Sequence, residues 1–346
     1  MLPKPRLVKI AALGTALLLA AAACGDDGGD ANPTTSAAGP GATTAIPATS
    51  ANANAALASF KGTIKMDGSS TVAQVMKVAA EDFQDATKKG VTVTVGVSGT
   101  GGGFEKFCKG ETDISNASRP IKASNDPAKP GEKENCEKAG IGFVELQVAN
   151  DGLSVVLNPK NTFAQCLTIA ELKKIWGPEG TVSNWKDVRN GFPARAIKRF
   201  GAGSDSGTFD YFTEAVNGKS GTITKDYNPS EDDNVTVTGV SGDEGAIGFL
   251  GLSYALENSS KIKPVQVDGG KGCVTPSEKA VQDGTYAPLG RPLFVYVSKK
   301  AWERTEVKGF VNFYFANIQP IVKEALFVNM NPDQLAKAQA ALKAAG

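Results

Sequence analysis

Three segments of this chain combine glycine with hydroxyl side chains, each at the start of a stretch with helical spacing. They are Asp67-Gly68-Ser69-Ser70-Thr71, Ser98-Gly99-Thr100-Gly101-Gly102-Gly103 and Ser204-Asp205-Ser206-Gly207-Thr208. The first turn of a helix leaves N–H groups without intrahelical acceptors and carries partial positive charge. Ser and Thr add O–H donors, and Gly lets an anion come close to the main chain. Three such ends converging on one cleft would hold an oxyanion by protein donors alone. Any one of them by itself is a tight turn; the reading rests on all three.

The residue inventory disfavours chemistry on a bound anion. The chain has no His, which removes Ser-His-Asp and Cys-His catalysis, His-ligated zinc and the commonest general base. No GxxxxGK[ST] phosphate loop occurs, and Gly99-x-Gly101 lacks the third glycine of a dinucleotide fingerprint. Gly203-Ser204-Asp205-Ser206-Gly207 has Asp at its centre and is not a nucleophile elbow. Neither a catalytic residue, a cofactor nor a metal is expected, and a phosphatase-type enzyme is the least favoured reading. The formal charge is +1. Without Lys4, Arg6 and Lys9, the 37 basic residues become 34 against 36 acidic, a net of −2. No concentrated basic patch points to nucleic acid.

The elements that must hold the three segments follow from periodicity. Gly62 to Gly68 reads as a strand entering a turn, and Thr71 to Ala86 as a helix with Val72, Val75, Met76, Ala79, Ala80 and Phe83 on one face. Val91 to Val97 alternates as a strand, a short helix is expected from about Gly102 to Lys109, and Asp113 to Ala117 is the next strand candidate. Val144–Val148 and Leu153–Leu157 read as two further strands. Thr168 caps a helix, Ile169 to Trp176, that Gly177-Pro178 terminates. Ala196 to Phe200 is a strand candidate leading to the third glycine segment, and Ser206 to Val216 is a helix. Val235 to Val240 and Ala246 to Leu250 read as strands, Pro292 to Val297 as another, and Ala301 to Ala345 as helical. Strand–helix alternation makes this an α/β chain. Its second lobe is expected to be inserted into the first, with crossings near residues 148–153 and 289–294. Open α/β sheets bind ligands at the carboxyl ends of their strands, where all three glycine segments fall.

The ends of the chain concern location. Lys4, Arg6 and Lys9 precede a 14-residue apolar stretch, Ile10 to Ala23, too short for a confident membrane span. Leu17-Leu18-Leu19-Ala20-Ala21-Ala22-Ala23-Cys24 resembles a bacterial lipobox, although Ala21 stands where Leu is usual. Residues 1–23 are therefore expected to be a lipoprotein signal, and Cys24 the lipidated residue. Residues 24–58, rich in Ala, Gly, Thr, Ser and Pro, are too poor in apolar side chains to offset ordering entropy and read as a tether. Four cysteines remain. Of three pairings, Cys108–Cys136 with Cys166–Cys273 keeps each bridge inside one lobe and is the expected one.

Several segments together resemble the phosphate-binding proteins of bacterial Pst-type ABC transporters. They are Gly68-Ser69-Ser70-Thr71-Val72, Ser98 to Phe104, Ala117-Ser118-Arg119-Pro120-Ile121, Gly203 to Phe212, Ser230 to Asn234 and Gly245-Ala246-Ile247-Gly248-Phe249. The similarity spans about residues 62–330. It implies a type II periplasmic-binding-protein fold, with two α/β lobes joined by a two-strand hinge and the ligand cleft between them. On that basis lobe I is residues 59–150 plus 292–346, and lobe II residues 151–291. By position, the resemblance implies phosphate contacts from Ser70, Thr71, Thr100, Gly101, Ser206, Gly207 and Thr208.

Some family members carry Asp where this chain has Arg119, and Arg where it has Ala202. Arg119 is accordingly expected to offer its fork to phosphate, and Asp205 to accept the proton of hydrogen phosphate, which sulfate lacks. The function implied is extracytoplasmic binding of inorganic phosphate by a monomer, anchored through lipid, and its delivery to an ABC permease. Binding of another oxyanion, such as molybdate, sulfate or a phosphonate, is the alternative.

Overall fold

The structure is a computed structural model that describes residues 57–345 apart from Pro127 and Gly180. The expected signal segment, Cys24 and nearly all of the tether lie outside the described residues.

From the N-terminal side the chain runs through β1 (Gly62–Gly68), α1 (Ser70–Ala86), β2 (Val91–Val95), α2 (Gly99–Cys108), β3 (Ile114–Ala117), α3 (Glu132–Lys138) and β4 (Phe143–Leu157). It continues with β5 (Cys166–Thr168), α4 (Ile169–Trp176), α5 (Trp185–Val188), β6 (Lys198–Ala202), α6 (Gly207–Asn217), β7 (Asn228–Ser230), α7 (Asp233–Ser241), β8 (Ala246–Gly251) and α8 (Leu252–Glu257). Then come β9 (Lys263–Pro264), β10 (Gln266–Asp268), β11 (Cys273–Val274), α9 (Glu278–Gln282) and β12 (Gly290–Ser298). Four helices finish the chain: α10 (Lys299–Trp302), α11 (Thr305–Ala316), α12 (Ile318–Glu324) and α13 (Pro332–Ala344).

Among the described residues, one mixed sheet has the order β2-β1-β3-β12-β4-β8-β6-β7, with β9 paired to β4. β1 pairs parallel with β2 and β3, and β6 parallel with β7 and β8. The centre is antiparallel. β4 and β12 pair from Phe143↔Ser298 to Gly152↔Gly290, and β4 continues against β8 from Leu153↔Gly251 to Leu157↔Ile247. The two strand-like runs expected over 144–157 are therefore one strand. Its residues from 148 to 157 are all buried, as a central strand covered on both faces requires.

Burial is divided along the same line. One apolar cluster draws on residues from Ile64 to Ala149 and from Leu293 to Ala338, including the helical face Val72, Val75, Met76, Ala79, Ala80 and Phe83. A second draws on Leu153 to Leu289, with Val328 added from the C-terminal part. Phe83 meets Phe310 edge-on at 5.4 Å in the first, and Phe212 stacks on Phe249 at 3.9 Å in the second. The bridges are Cys108–Cys136 and Cys166–Cys273, with Cα–Cα distances of 4.3 and 6.0 Å.

One expected strand is a helix. Residues 235–240 alternate Val and Thr, yet the chain forms α7 there. Asp232 caps it, its Oδ1 accepting the Asn234 N–H at 2.9 Å. Thr236, Val237 and Val240 are buried, at helical spacing, while Val235 is 46 % exposed. Packing against β6 and β8 overrides the β-branched composition.

Candidate functional site

The end of β1 sets the first wall. Gly68 has φ 142°, and a Cβ there would collide with the Asn116 carbonyl, so glycine alone fits. Ser69 then caps α1: its Oγ accepts the Val72 N–H at 3.4 Å, and its own N–H goes to Asn116 O at 2.9 Å. Ser70 and Thr71 open the first helical turn, where N–H groups have no intrahelical acceptor.

The second wall follows β2. Helix α2 starts at Gly99, earlier than its apolar spacing indicates, so Thr100 and Gly101 lie in its first turn. Gly99 has φ 74°. Thr100 Oγ1 lies 3.0 Å from Ser118 Oγ and accepts the Ser118 N–H at 3.2 Å, tying α2 to the end of β3. A Cβ on Gly101 would meet only Glu132 Oε1 within 4 Å, at 3.9 Å, so its surface is open.

These residues line one cavity of about 500 Å³. That is much more than one tetrahedral oxyanion fills. Ser69, Ser70, Thr71, Gly99, Thr100, Gly101, Ser118, Arg119, Pro120 and Lys122 come from one side. Asp210, Tyr211, Glu214, Ala215 and Ser220 come from α6 and the loop after it, Pro288 from the segment before β12, and Arg291 and Pro292 from β12 itself.

The third glycine segment stands differently. Asp205, Ser206, Gly207 and Thr208 are not among the cavity-lining residues. Asp205 is exposed and gives its N–H to Glu231 Oε1 at 3.1 Å. Ser206 caps α6, its Oγ accepting the Thr208 N–H at 3.1 Å. Gly207 sits directly on the start of α1, where Thr71 Oγ1 donates to its carbonyl at 3.4 Å. The flank of α6, one turn beyond its tip, faces the cavity instead. There Asp210 Oδ2 accepts the Ser70 hydroxyl at 2.9 Å, and Oδ1 accepts the Ser220 hydroxyl at 2.7 Å. The carboxylates that this helix brings to the cavity are thus Asp210 and Glu214, not Asp205, because a helix turns its tip and its flank to different neighbours.

Arg119 lines the cavity with its charge already engaged. Its Nη1 and Nη2 donate to Glu132 Oε2 and Oε1 at 2.8 and 2.7 Å, and Nη1 also donates to Pro120 O at 3.1 Å. Hydrogen bonding to Glu132 holds its pKa above the ordinary arginine value.

Besides those of α6, the residues missed in the sequence lie on the two crossing strands. Arg291 of β12 is opposite Asp151 of β4 in the sheet register. Its Nε donates to Asp151 Oδ2 at 3.3 Å and its Nη2 to Thr71 Oγ1 at 3.1 Å. The guanidinium carbon lies 3.4 Å from the centroid of the Tyr211 ring. Burial pushes the Asp151 carboxyl up, with Arg291 pulling the other way. Burial also raises the Tyr211 hydroxyl, which donates to Pro288 O at 2.7 Å. The only signal in the sequence was a charge inside each of two apolar strand runs, Asn150-Asp151-Gly152 and Gly290-Arg291-Pro292.

A family model described as a PBP superfamily domain matches residues 33–317. The protein SphX of Synechococcus elongatus is 48% identical over 268 residues, 77% of this chain and 77% of its own. The phosphate-binding protein PstS of Staphylococcus saprophyticus is 40% identical over 274 residues, 79% of this chain and 81% of its own. A crystal structure of a possible phosphate binding protein from Planctomyces limnophilus has 43% identity and a TM-score of 0.78, covering 83% of this chain and 99% of that one.

Proposed function

This chain belongs to the PBP superfamily, and from that premise we propose that it binds inorganic phosphate outside the cytoplasm and delivers it to an ABC permease. The observation that carries the reading is the convergence of two first helical turns, Ser70-Thr71 and Thr100-Gly101, on one cavity whose far wall is α6. Such turns offer N–H and O–H donors and partial positive charge to an oxyanion without any metal. The names of its relatives PstS and the Planctomyces limnophilus protein support phosphate as the anion.

In this reading the two apolar clusters are the cores of two lobes, and β4 and β12 are the hinge. Phosphate enters the open cleft against Ser70, Thr71, Thr100 and Gly101. The tip of α6 already rests on the start of α1 at Thr71, so closure is a small adjustment that turns the donors of Ser206, Gly207 and Thr208 to the anion, which stabilises the closed state by touching both sides. Asp210 takes the role of the carboxylate that accepts the phosphate proton. The chain acts as a binding protein and not as an enzyme. Export, a lipid on Cys24 and a monomeric state complete the proposal. Among the described residues no helix is long and apolar enough to cross a membrane.

Calorimetric titration with phosphate, arsenate, sulfate and molybdate tests the reading. Micromolar phosphate should bind and should raise the melting temperature by mass action. Binding of molybdate or sulfate with no response to phosphate would overturn it in favour of another oxyanion. Turnover of a phosphate ester would overturn the non-enzymatic part.

A further inference from the structure

The reading above leaves open which cation faces the anion. The cavity is lined by Arg119, Lys122 and Arg291. Arg119 has the wrong free donors. Both of its Nη atoms are committed to Glu132 in a fork–fork pair, with a further bond to Pro120 O, which leaves the pair neutral as a unit. Nε–H and the second Nη2–H remain, but an anion reaching them meets the Glu132 carboxylate already held on the same fork.

Arg291 is held quite differently. Its side chain is 15 % exposed and is fixed by one edge and one face: Nε on Asp151, and the guanidinium plane against Tyr211. Nη2 reaches Thr71 Oγ1, the hydroxyl of the first turn of α1. Arg291 thus also stands beside two carboxylates, Asp151 at 3.3 Å from Nε and Glu214 Oε2 at 3.8 Å from Nη1, but Nη1 has no acceptor within hydrogen-bonding distance among the described residues. The fork is therefore open on the side where Thr71 marks the N-terminus of α1.

We propose that Arg291 is the cationic ligand of the bound oxyanion, its open Nη edge meeting the anion beside Thr71 while Asp151 and Tyr211 hold it in place. This rests on the phosphate-binding reading and deepens it. It also gives the hinge a part in recognition. Arg291 and Asp151 are partners in the register of the two crossing strands, so an anion gripped by Arg291 is attached to the strands about which the halves turn. Tyr211 comes from α6 on the far wall, and its packing on the guanidinium makes the fork's position depend on that wall as well.

The test is calorimetric phosphate titration of the full chain and three variants, each checked for a cooperative melt without phosphate. Asp151→Asn/Arg291→Gln removes the pair together, so no unpaired buried charge is left and net charge is unchanged. It should weaken phosphate binding about a hundredfold, the scale of a lost charge-assisted fork. Arg291→Lys keeps the charge and loses the fork, and should weaken binding about tenfold. Arg119→Gln should lose less than the double variant by at least a factor of about ten. The proposal is overturned if Arg291→Lys and the double variant bind within about threefold of the unmodified chain, or if Arg119→Gln is as weak as the double variant. Should the double variant not fold, Arg291→Lys alone decides. An unmodified chain that takes up no phosphate would instead overturn the functional reading, and this assignment with it.

Discussion

Gly207 and Thr71 meet so closely that a Cβ on residue 207 would stand 2.8 Å from the Thr71 Cα and 2.9 Å from its Oγ1. They are first-turn residues of α6 and α1, so two helix ends of like partial charge touch. A negative ion held beside that junction offsets the repulsion, which gives closure around an anion a physical advantage over closure on water alone.

Gly207→Ala tests this contact. The methyl group would meet backbone, which does not yield as a side-chain end does, so α1 and α6 must separate. Phosphate affinity should fall at least about tenfold. The melting temperature without phosphate should change little, since the gain in helix propensity, up to about 1 kcal/mol, works against the strain. Unchanged affinity would mean that the junction does not form the closed site.

Asp210→Asn tests the carboxylate. With its proton acceptor replaced by an amide, the site loses its means of telling hydrogen phosphate from sulfate. The ratio of the two affinities should shrink by at least about tenfold, while Asp205→Asn leaves the ratio as it was. A ratio that survives Asp210→Asn and collapses in Asp205→Asn would restore the expectation drawn from the sequence.

Glu171 gives a pH signature of stability away from the cavity. Burial works to raise its carboxyl, but the Arg189 side chain, at 2.6 Å, and the Thr168 donors outweigh it and hold the pKa below the ordinary 4.5. A depressed carboxylate adds stability that is complete above the unfolded value and is lost as pH falls through the folded one. Melting temperature should therefore drop below about pH 4.5, and Glu171→Gln should flatten that limb. Gln keeps the carbonyl acceptor that the capping box of α4 needs but loses the charge-assisted pair with Arg189, at a cost of about 1 kcal/mol near neutral pH. A parallel acid limb in the variant would remove Glu171 from this role.

The Cys166–Cys273 bridge closes a separation of 107 residues, against 28 for Cys108–Cys136. In the chain-entropy account the longer loop contributes more, and removing it should cost about 2–5 kcal/mol. Paired Ser substitutions, followed by denaturant melts, check this. The Cys166/Cys273 variant is expected to lose more than the Cys108/Cys136 one; the reverse order would mean that native contacts, not loop length, set the difference.

Local chemistry made much of this protein legible. Gly68 before Ser69-Ser70-Thr71, and Thr168 three residues before Glu171, encode turns and caps within a few residues, and the structure forms helices at both. The apolar face of α1 follows from spacing alone, and it is the buried face. Where the outcome depended on what packed outside the segment, local pattern failed. Residues 235–240 have strand-like composition but became α7 against β6 and β8. Asp205 and Asp210 are both near one turn in sequence, and only the orientation of α6 put the second at the cavity.

The sequence by itself determined the glycine and hydroxyl turns, the α/β alternation and the absence of histidine chemistry, because each depends on neighbours in the chain or on composition. The tertiary structure alone decided how the charges are arranged. Arg291 meets Asp151 at a separation of 140 residues and Thr71 at one of 220, through strand pairing that no local pattern reports. Which carboxylates stand beside Arg291, and which hydroxyl its fork reaches, are properties of that pairing, since a charge is defined by what surrounds it in space.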